Sequence, residues 1–420
     1  VAAVAAAAVA VRGADSTWSA VDDALRDGVV NGAYPGVVGS VVHARRGVLF
    51  QTEHGRHTYA STSPKMSASE TVFDLASVSK VMATTTAIMI LIDRSVLTLD
   101  ARIVDVLGEA FGANGKHNIT VRNCLLHNAG FRADPDPFWS TPEFACPETA
   151  KPQPRLTTSC LPKIWKSLLA QPLPHAPIGS TYVYSDLSMI TLAFVIGAVA
   201  QPPVPHVRRR AELPPPDVLL HRFERFVDEH VFAPLREHGE HTPRYLPPPA
   251  LYDACAPTVN DTTYRHRVVQ GQVQDPNTFA MGGVSGHAGL FARLLPLTRF
   301  VGSLLRAAIG VEPFDFVAKP ATVAKFTKLY NGTQSSRALG WNTNDPDAPD
   351  RGWSQACGEL SPSTFMHLGY TGTMVCADPV RQVALVLLSN RVWPFANNTK
   401  VSDVRRAVAT AVARAVDAGA

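Results

Sequence analysis

No metal-type cysteine spacing occurs in this 420-residue chain: it carries six cysteines (Cys124, Cys146, Cys160, Cys255, Cys357 and Cys376), and no two of them form Cys-x-x-Cys. That absence excludes a zinc ribbon or knuckle. Charge is sparse as well, with 18% charged residues and a formal net charge of +4. The densest basic run, Arg208 to Arg210 in "VRRRAE", lies in a proline-rich segment without interleaved aromatics, so no nucleic-acid surface is expected. No window long enough to cross a bilayer is free of charge and proline. The opening "VAAVAAAAVAV" has eleven apolar residues, too few to span, and no basic run before it. It is read as an Ala-rich arm or helix start, with the remnant of a targeting segment as the alternative. Gly282, Gly283, Gly286 and Gly289 come without a lysine or a strand–loop–helix context, which makes them a tight loop rather than a phosphate cradle. His43, His54 and His57 lack the i, i+4 helical spacing of a metal pair. Neither metal nor cofactor is expected.

What is present is a 46% hydrophobic chain, the composition of a soluble globular protein. Residues 15–31 read as an amphipathic helix capped by Ser16 or Thr17, with Trp18, Val21, Ala24 and Leu25 as its apolar stripe. "GVVGSVVHARRGVLFQTEHGRHTY" reads as two strands joined at Arg45-Arg46-Gly47. A mostly helical stretch follows from Ser77, broken by proline-dense excursions near 135–160 and 201–217. The tail returns to strands at "RALGWNTN", "TFMHLGYTG", "TMVCADP" and "VALVLLSNRVW", and closes with the helix "VSDVRRAVATAVARAVDA". A lone two-stranded hairpin is marginal, so strands from both ends must meet in one sheet. The expected fold is α+β: an antiparallel sheet flanked by N- and C-terminal helices, assigned to 15–72 and 292–420, with a mostly helical domain at 73–291 inserted between its halves. Cys146 and Cys160 flank a proline-rich loop and could pair; three disulfides, one or none stay open.

One segment carries chemistry. In "FDLASVSKVMATTTAIMILIDR" (Phe73 to Arg94), Ser77 and Lys80 lie three residues apart at the entry to an apolar run, and Lys80 is the one lysine with serine at that spacing. Three apart on a helix means one face. A serine in the first turn has free backbone N–H groups and the positive end of the helix dipole beside it. A lysine one turn on, in apolar surroundings, is disfavoured as an ammonium. As a neutral amine it would take the serine proton and activate the nucleophile. Asp74 is read as a cap for this helix. His127 in "LLHNAG" and His287 in "SGHAGLF" are read as residues that hold glycine turns. Phe138, Trp139 and Trp341 either line a cleft or fill core.

In order along the chain, "FDLASVSKVMATT", "ITVRNCLLHNAGF", "YVYSDLSMITLAFVIG", "GQVQDPNTFAMGGVSGHAGLF", "FMHLGYTGTMVCADP" and "LLSNRVWP" span roughly 35–395. Together they resemble the serine β-lactamase and penicillin-binding protein superfamily, on the side of class C β-lactamases and their esterase-like relatives. The resemblance implies a site between the sheet and the helical domain. It implies Ser77 as nucleophile, Lys80 and Tyr184 as the proton-handling pair, and the backbone N–H groups of Ser77 and Tyr370 as oxyanion hole, with Asp186, His367 and Gly369 against the substrate. No cofactor is implied.

Two positions depart from the family pattern. The second motif ends in Asp186 instead of asparagine, and the chain holds no Tyr-x-Asn. An ionised carboxylate only accepts hydrogen bonds, and near Lys80 it favours the charged lysine. The third motif reads His367-Leu368-Gly369, where the family has lysine or histidine, then threonine. Leu368 cannot hydrogen-bond to a substrate carboxylate. The expectation is an acyl-serine hydrolase of an ester or amide, with measurable ester cleavage and weak or absent lactam turnover. A D,D-carboxypeptidase, penicillin-binding protein or β-lactamase is the enzymatic alternative. A binding or scaffolding protein with a degraded site is the other. The partner is a small ester, amide or peptide; the oligomeric state is open, and the compartment leans to extracytoplasmic or secreted.

Overall fold

A computed structural model of the chain describes residues 16–144, 146, 160–200, 213–236, 240, 242–348 and 355–420. The N-terminal arm and most of the second proline-rich excursion lie outside them. Six strands form one sheet in the order Gly47–Gly55, Gly36–His43, Val383–Ser389, Met374–Asp378, Phe365–Leu368 and Asn342–Thr343, and every neighbouring pair is antiparallel. Residues from the two ends of the chain meet at its centre, where Val37 faces Ser389 and His43 faces Val383.

The period of two along these strands decides what each face covers. Val37, Val41, Leu385, Leu387 and Met374 pack with Val21, Leu25, Val408 and Val412, under the terminal helices Ser19–Val30 and Val401–Asp417. Val38, Val42, Val375, Val386 and Leu388 point the other way, into the core they share with helix Leu294–Ile309 and the helical part of the chain. The sheet is therefore apolar on both faces, and Val383–Ser389 is buried along its whole length.

Helix Asp186–Val199 is buried from Leu187 to Gly197, as its apolar sequence all round requires. Among the described residues no helix is long and apolar enough to cross a membrane. Disulfides join Cys146 to Cys160 and Cys357 to Cys376, while Cys124 and Cys255 are free and buried.

Two local expectations are corrected. The first helix begins after a 3₁₀ turn at Ser16–Trp18; Trp18 occupies its N-cap position and makes no side-chain cap bond. "RALGWNTN" joins the sheet only at Asn342–Thr343, because the preceding residues fold back on themselves, with an Arg337–Asn342 bridge and Ala338 N–H donating to the Trp341 carbonyl. Trp139 and Trp341 are wholly buried core, whereas Phe138 is exposed.

Candidate active site

Strand Phe73–Asp74 runs into a turn that carries Ser77, followed by a π-helical segment Lys80–Thr85 and the helix Thr86–Asp93. Asp74 shapes this turn. One carboxylate oxygen accepts the Ala76 N–H at 2.8 Å and the other the Gln274 N–H at 2.6 Å. The first bond holds Ala76 at φ +45°, a left-handed conformation an alanine rarely adopts. Asp74 thus makes a turn rather than capping the helix. Burial raises its carboxyl to about 6, against the two N–H bonds that favour the ionised form. A raised folded pKa contributes stability at low pH that is lost as pH rises through about 6. Relative to wild type, Asp74→Asn is therefore more destabilised at pH 5 than at pH 7.5, by roughly 1 kcal/mol. Urea titrations of both proteins at the two pH values measure this, and a difference that stays flat with pH contradicts it.

Lys80 is wholly buried; its Nζ donates to Ser77 Oγ at 2.8 Å and to the His287 carbonyl at 2.9 Å, and it forms an ion pair with Asp186 Oδ1 at 2.7 Å. Burial by itself pushes the Lys80 amine down, but the Asp186 carboxylate and then the Tyr184 hydroxyl outweigh it, and the net direction is up. The neutral lysine expected from an apolar surround is thereby corrected: the carboxylate in the second motif keeps the charge on. Tyr184 lies beside it, with Lys80 Nζ 5.0 Å from its ring centroid.

The Tyr184–Asp186 segment is set by His127. Its carbonyl accepts the Val183 N–H at 2.9 Å, and its Nδ1 accepts the Ser185 N–H at 3.0 Å. Burial, then the charges of Arg337 and Lys80, hold this imidazole well below its usual pKa, so it is neutral and free to accept. Ser185 caps helix Asp186–Val199 through the Ser188 N–H. His287 does more than hold a glycine turn. Besides its carbonyl on Lys80, its ring lies 2.7 Å from Ser285 Oγ, 3.0 Å from Asp275 Oδ1 and 3.9 Å from Asp186 Oδ2. Gly286 lets this loop lie on the helix, since a Cβ there would meet the Met189 carbonyl at 2.1 Å. Ligand atoms of Asp186, Asp275 and His287 lie within 4.8 Å of one another, a spacing a metal ion could use. Yet Lys80 already engages Asp186, and the Thr278 N–H and His287 engage Asp275. Burial works to raise the Asp275 carboxyl, but His287 and Thr278 hold it well below the usual range. At the same place burial, with Asp186 and Asp275, lifts Asp134 to about 6.

The end of strand Phe365–Leu368 closes the site. Thr371 and Thr373 donate their hydroxyls to the Asp74 and Leu75 carbonyls at 2.7 and 2.9 Å, stitching this loop to the nucleophile turn. Gly369 is required there: a Cβ would lie 1.9 Å from Thr373 Oγ1 and 2.5 Å from the Leu75 carbonyl. Arg405, buried on the C-terminal helix, donates to the Gly369 and Thr373 carbonyls at 2.7 and 2.8 Å. Burial, with nearby Arg391, pushes it down to about 9. Tyr370 is half exposed, with Arg391 against its ring and on its carbonyl. Among the described residues neither the Ser77 N–H nor the Tyr370 N–H has a hydrogen-bond acceptor. His367 is buried, donates from Nδ1 to the Leu368 carbonyl at 2.9 Å, and is held well below its usual pKa by burial and then by Arg337 and Lys80. Its ring lies 6.2 Å from that of Tyr184.

Ser77, Lys80, Tyr184 and Asp186 are thus neighbours, and His367 and Gly369 border them. Arg337, Arg405, Asp134 and Asp275 were not singled out from the sequence; none belongs to a spaced motif.

Comparisons with known proteins bear on the chain as a whole. The family model described as Beta-lactamase matches residues 21–410. A protein of Salmonella agona (strain SL483) named "Putative D-alanyl-D-alanine carboxypeptidase" is 28% identical over 359 residues, covering 81% of this chain and 74% of that protein. A penicillin-binding protein homolog from Caulobacter crescentus superposes with a TM-score of 0.63 at 18% identity, covering 96% of this chain and 98% of the other. A hydrolase with promiscuous acyltransferase activity gives a TM-score of 0.61 at 20% identity, covering 93% and 98%.

Proposed function

We propose, from the premise that the chain belongs to the beta-lactamase family, that this serine hydrolase cleaves esters that carry no carboxylate beside the scissile bond, through an acyl-Ser77 intermediate. The observation that carries the substrate class is the end of strand Phe365–Leu368. His367 is neutral, Leu368 has no donor, and the Thr371 and Thr373 hydroxyls are already spent on the Asp74 and Leu75 carbonyls. Arg391 is turned onto the Tyr370 carbonyl and ring. Among the described residues, His367, Leu368, Thr371 and Thr373 leave no cation and no uncommitted threonine hydroxyl at this strand end to hold a carboxylate of the kind that penicillins and peptidoglycan stems carry.

The proton inventory assigns the steps. Lys80 donates to Ser77 Oγ and stays an ammonium, so the serine proton goes to the Tyr184 oxygen, which enters the cycle as a phenolate and becomes the phenol. Ser77 Oγ then bonds to the ester carbonyl carbon, and the oxyanion is met by the Ser77 and Tyr370 N–H groups. Tyr184 returns the proton to the departing alkoxide as the C–O bond breaks. A water molecule repeats the cycle on the acyl-enzyme, giving its proton to Tyr184 and releasing the carboxylic acid with Ser77 restored.

A chromogenic acetate ester, a chromogenic cephalosporin and a peptide ending in D-Ala-D-Ala, assayed side by side, test the reading. The ester is expected to exceed the cephalosporin in kcat/KM by at least about 100-fold, the scale of about two lost charge-assisted contacts. Rapid cephalosporin turnover contradicts the argument from Leu368. Release of D-alanine at rates above ester cleavage favours the second reading, a carboxypeptidase, which the 28% identity to the Salmonella agona protein supports.

A further inference from the structure

Arg337 is a buried cation with an incomplete set of partners. It is 2% exposed, its Nε and Nη2 donate to the Tyr182 hydroxyl at 3.2 and 3.1 Å, and its Nη1 is buried with no hydrogen-bond partner. Among the described residues no carboxylate pairs with it. Its guanidinium carbon lies 5.1 Å from the centroid of the Tyr184 ring, and Lys80 Nζ lies 5.0 Å from the same point. Burial of an uncompensated charge is strongly unfavourable. A neutral tyrosine offsets little of that through its ring face. A tyrosine that carries negative charge offsets far more.

We propose that Arg337 is a positioning residue for catalysis: with Lys80 it places positive charge on the Tyr184 ring and so stabilises the negative oxygen that accepts the Ser77 proton. Arg337 thereby supplies a charge that neutral His367 and Leu368 do not. The inference rests on the reading above, in which Tyr184 takes that proton. Among the described residues, Lys80 from the nucleophile helix, His127 from the loop after helix Val121–Leu125, His367 from the sheet and Arg337 lie near the Tyr184 ring, with Tyr182 and Asp186 two residues away on either side in sequence. Both histidines are held neutral, by burial first and by Arg337 and Lys80 next. Lys80 and Arg337 are the two cations of the set.

The test is the pH dependence of acetate-ester cleavage by the full chain, as wild type, Arg337→Met, Arg337→Lys, Tyr184→Phe and the double variant Arg337→Met/Tyr184→Phe. Arg337→Met is expected to lower kcat about 30-fold with KM within about twofold, and to move the acid limb of the profile upward by about one pH unit or more. Arg337→Lys moves the limb the same way by less. Adding Arg337→Met to Tyr184→Phe produces no further loss, because the charge acts through the tyrosine. If Arg337→Met does not fold, the limb of Arg337→Lys decides. A limb that stays in place, a loss confined to KM, or an equal loss in the Tyr184→Phe background overturns the proposal for Arg337 alone. Wild-type kcat in Tyr184→Phe overturns this proposal and the proton inventory together.

Discussion

Replacing Ser77 by alanine is expected to lower ester kcat/KM by at least about 10⁴-fold and to abolish labelling by a fluorophosphonate, while leaving the fold intact. The two halves of this expectation have separate physical origins. Catalysis collapses because the nucleophilic oxygen is gone: the other groups on Lys80 are the His287 carbonyl, the Asp186 carboxylate and the Tyr184 oxygen that serves as base. The fold persists because the turn is shaped by its neighbours and not by the serine side chain. Asp74 fixes Ala76, and Thr371 and Thr373 bind the carbonyls of Asp74 and Leu75. Lys80 keeps the His287 carbonyl and the Asp186 carboxylate, so the change in stability should stay within about 1 kcal/mol by urea titration. Equal labelling of wild type and Ser77→Ala would sink the nucleophile assignment. Equally poor labelling of both, with no ester turnover by either, would favour a binding protein that has kept the fold.

Motif spacing made the nucleophile side of the site readable. Ser77 and Lys80 are linked by one helical turn, and Tyr184 and Asp186 by one short loop ahead of a helix, so each pair is local in sequence. Joining the pairs took the order of several segments along the chain. The consequence of Asp186 was also legible, since a carboxylate near a lysine favours the ammonium whatever the fold. What could not be read was which charge wins inside the protein. An apolar run after Lys80 argued for a neutral amine, and only the 2.7 Å contact with Asp186 decides otherwise. Arg337, Arg405 and Asp275 were out of reach because tertiary packing alone brings them in. The one signal for Arg337 was a charge set in the largely apolar "RALGW". The sheet shows the same division. Its strands were legible from β-branched alternation, but the meeting of Gly36–His43 with Val383–Ser389 spans most of the chain and has no local trace.

Lys80→Met is expected to lower kcat/KM by at least about 10³-fold and to destabilise the protein by about 3 kcal/mol, and the two losses should separate when the partner is changed as well. Methionine keeps the shape of the buried stem but leaves the His287 carbonyl and the Asp186 carboxylate without their donor. Asp186→Asn makes the opposite orphan, a buried ammonium with only neutral acceptors. With the carboxylate gone, burial dominates and the folded pKa of Lys80 falls below its unfolded value. A depressed lysine pKa means that the unfolded state binds more protons, so stability rises with pH. The destabilisation of Asp186→Asn should therefore be larger at pH 7 than at pH 9.5. In Lys80→Met/Asp186→Asn neither charge remains, and the double variant is expected to be more stable than the sum of the single losses predicts, by at least about 1.5 kcal/mol. Its activity should nevertheless remain at the Lys80→Met level, because the ammonium that donates to Ser77 Oγ is still missing. Purely additive stabilities would show that Lys80 and Asp186 are not a coupled pair. Recovery of rate in the double variant would show that the ammonium serves only to neutralise Asp186, and that Tyr184 deprotonates Ser77 without it.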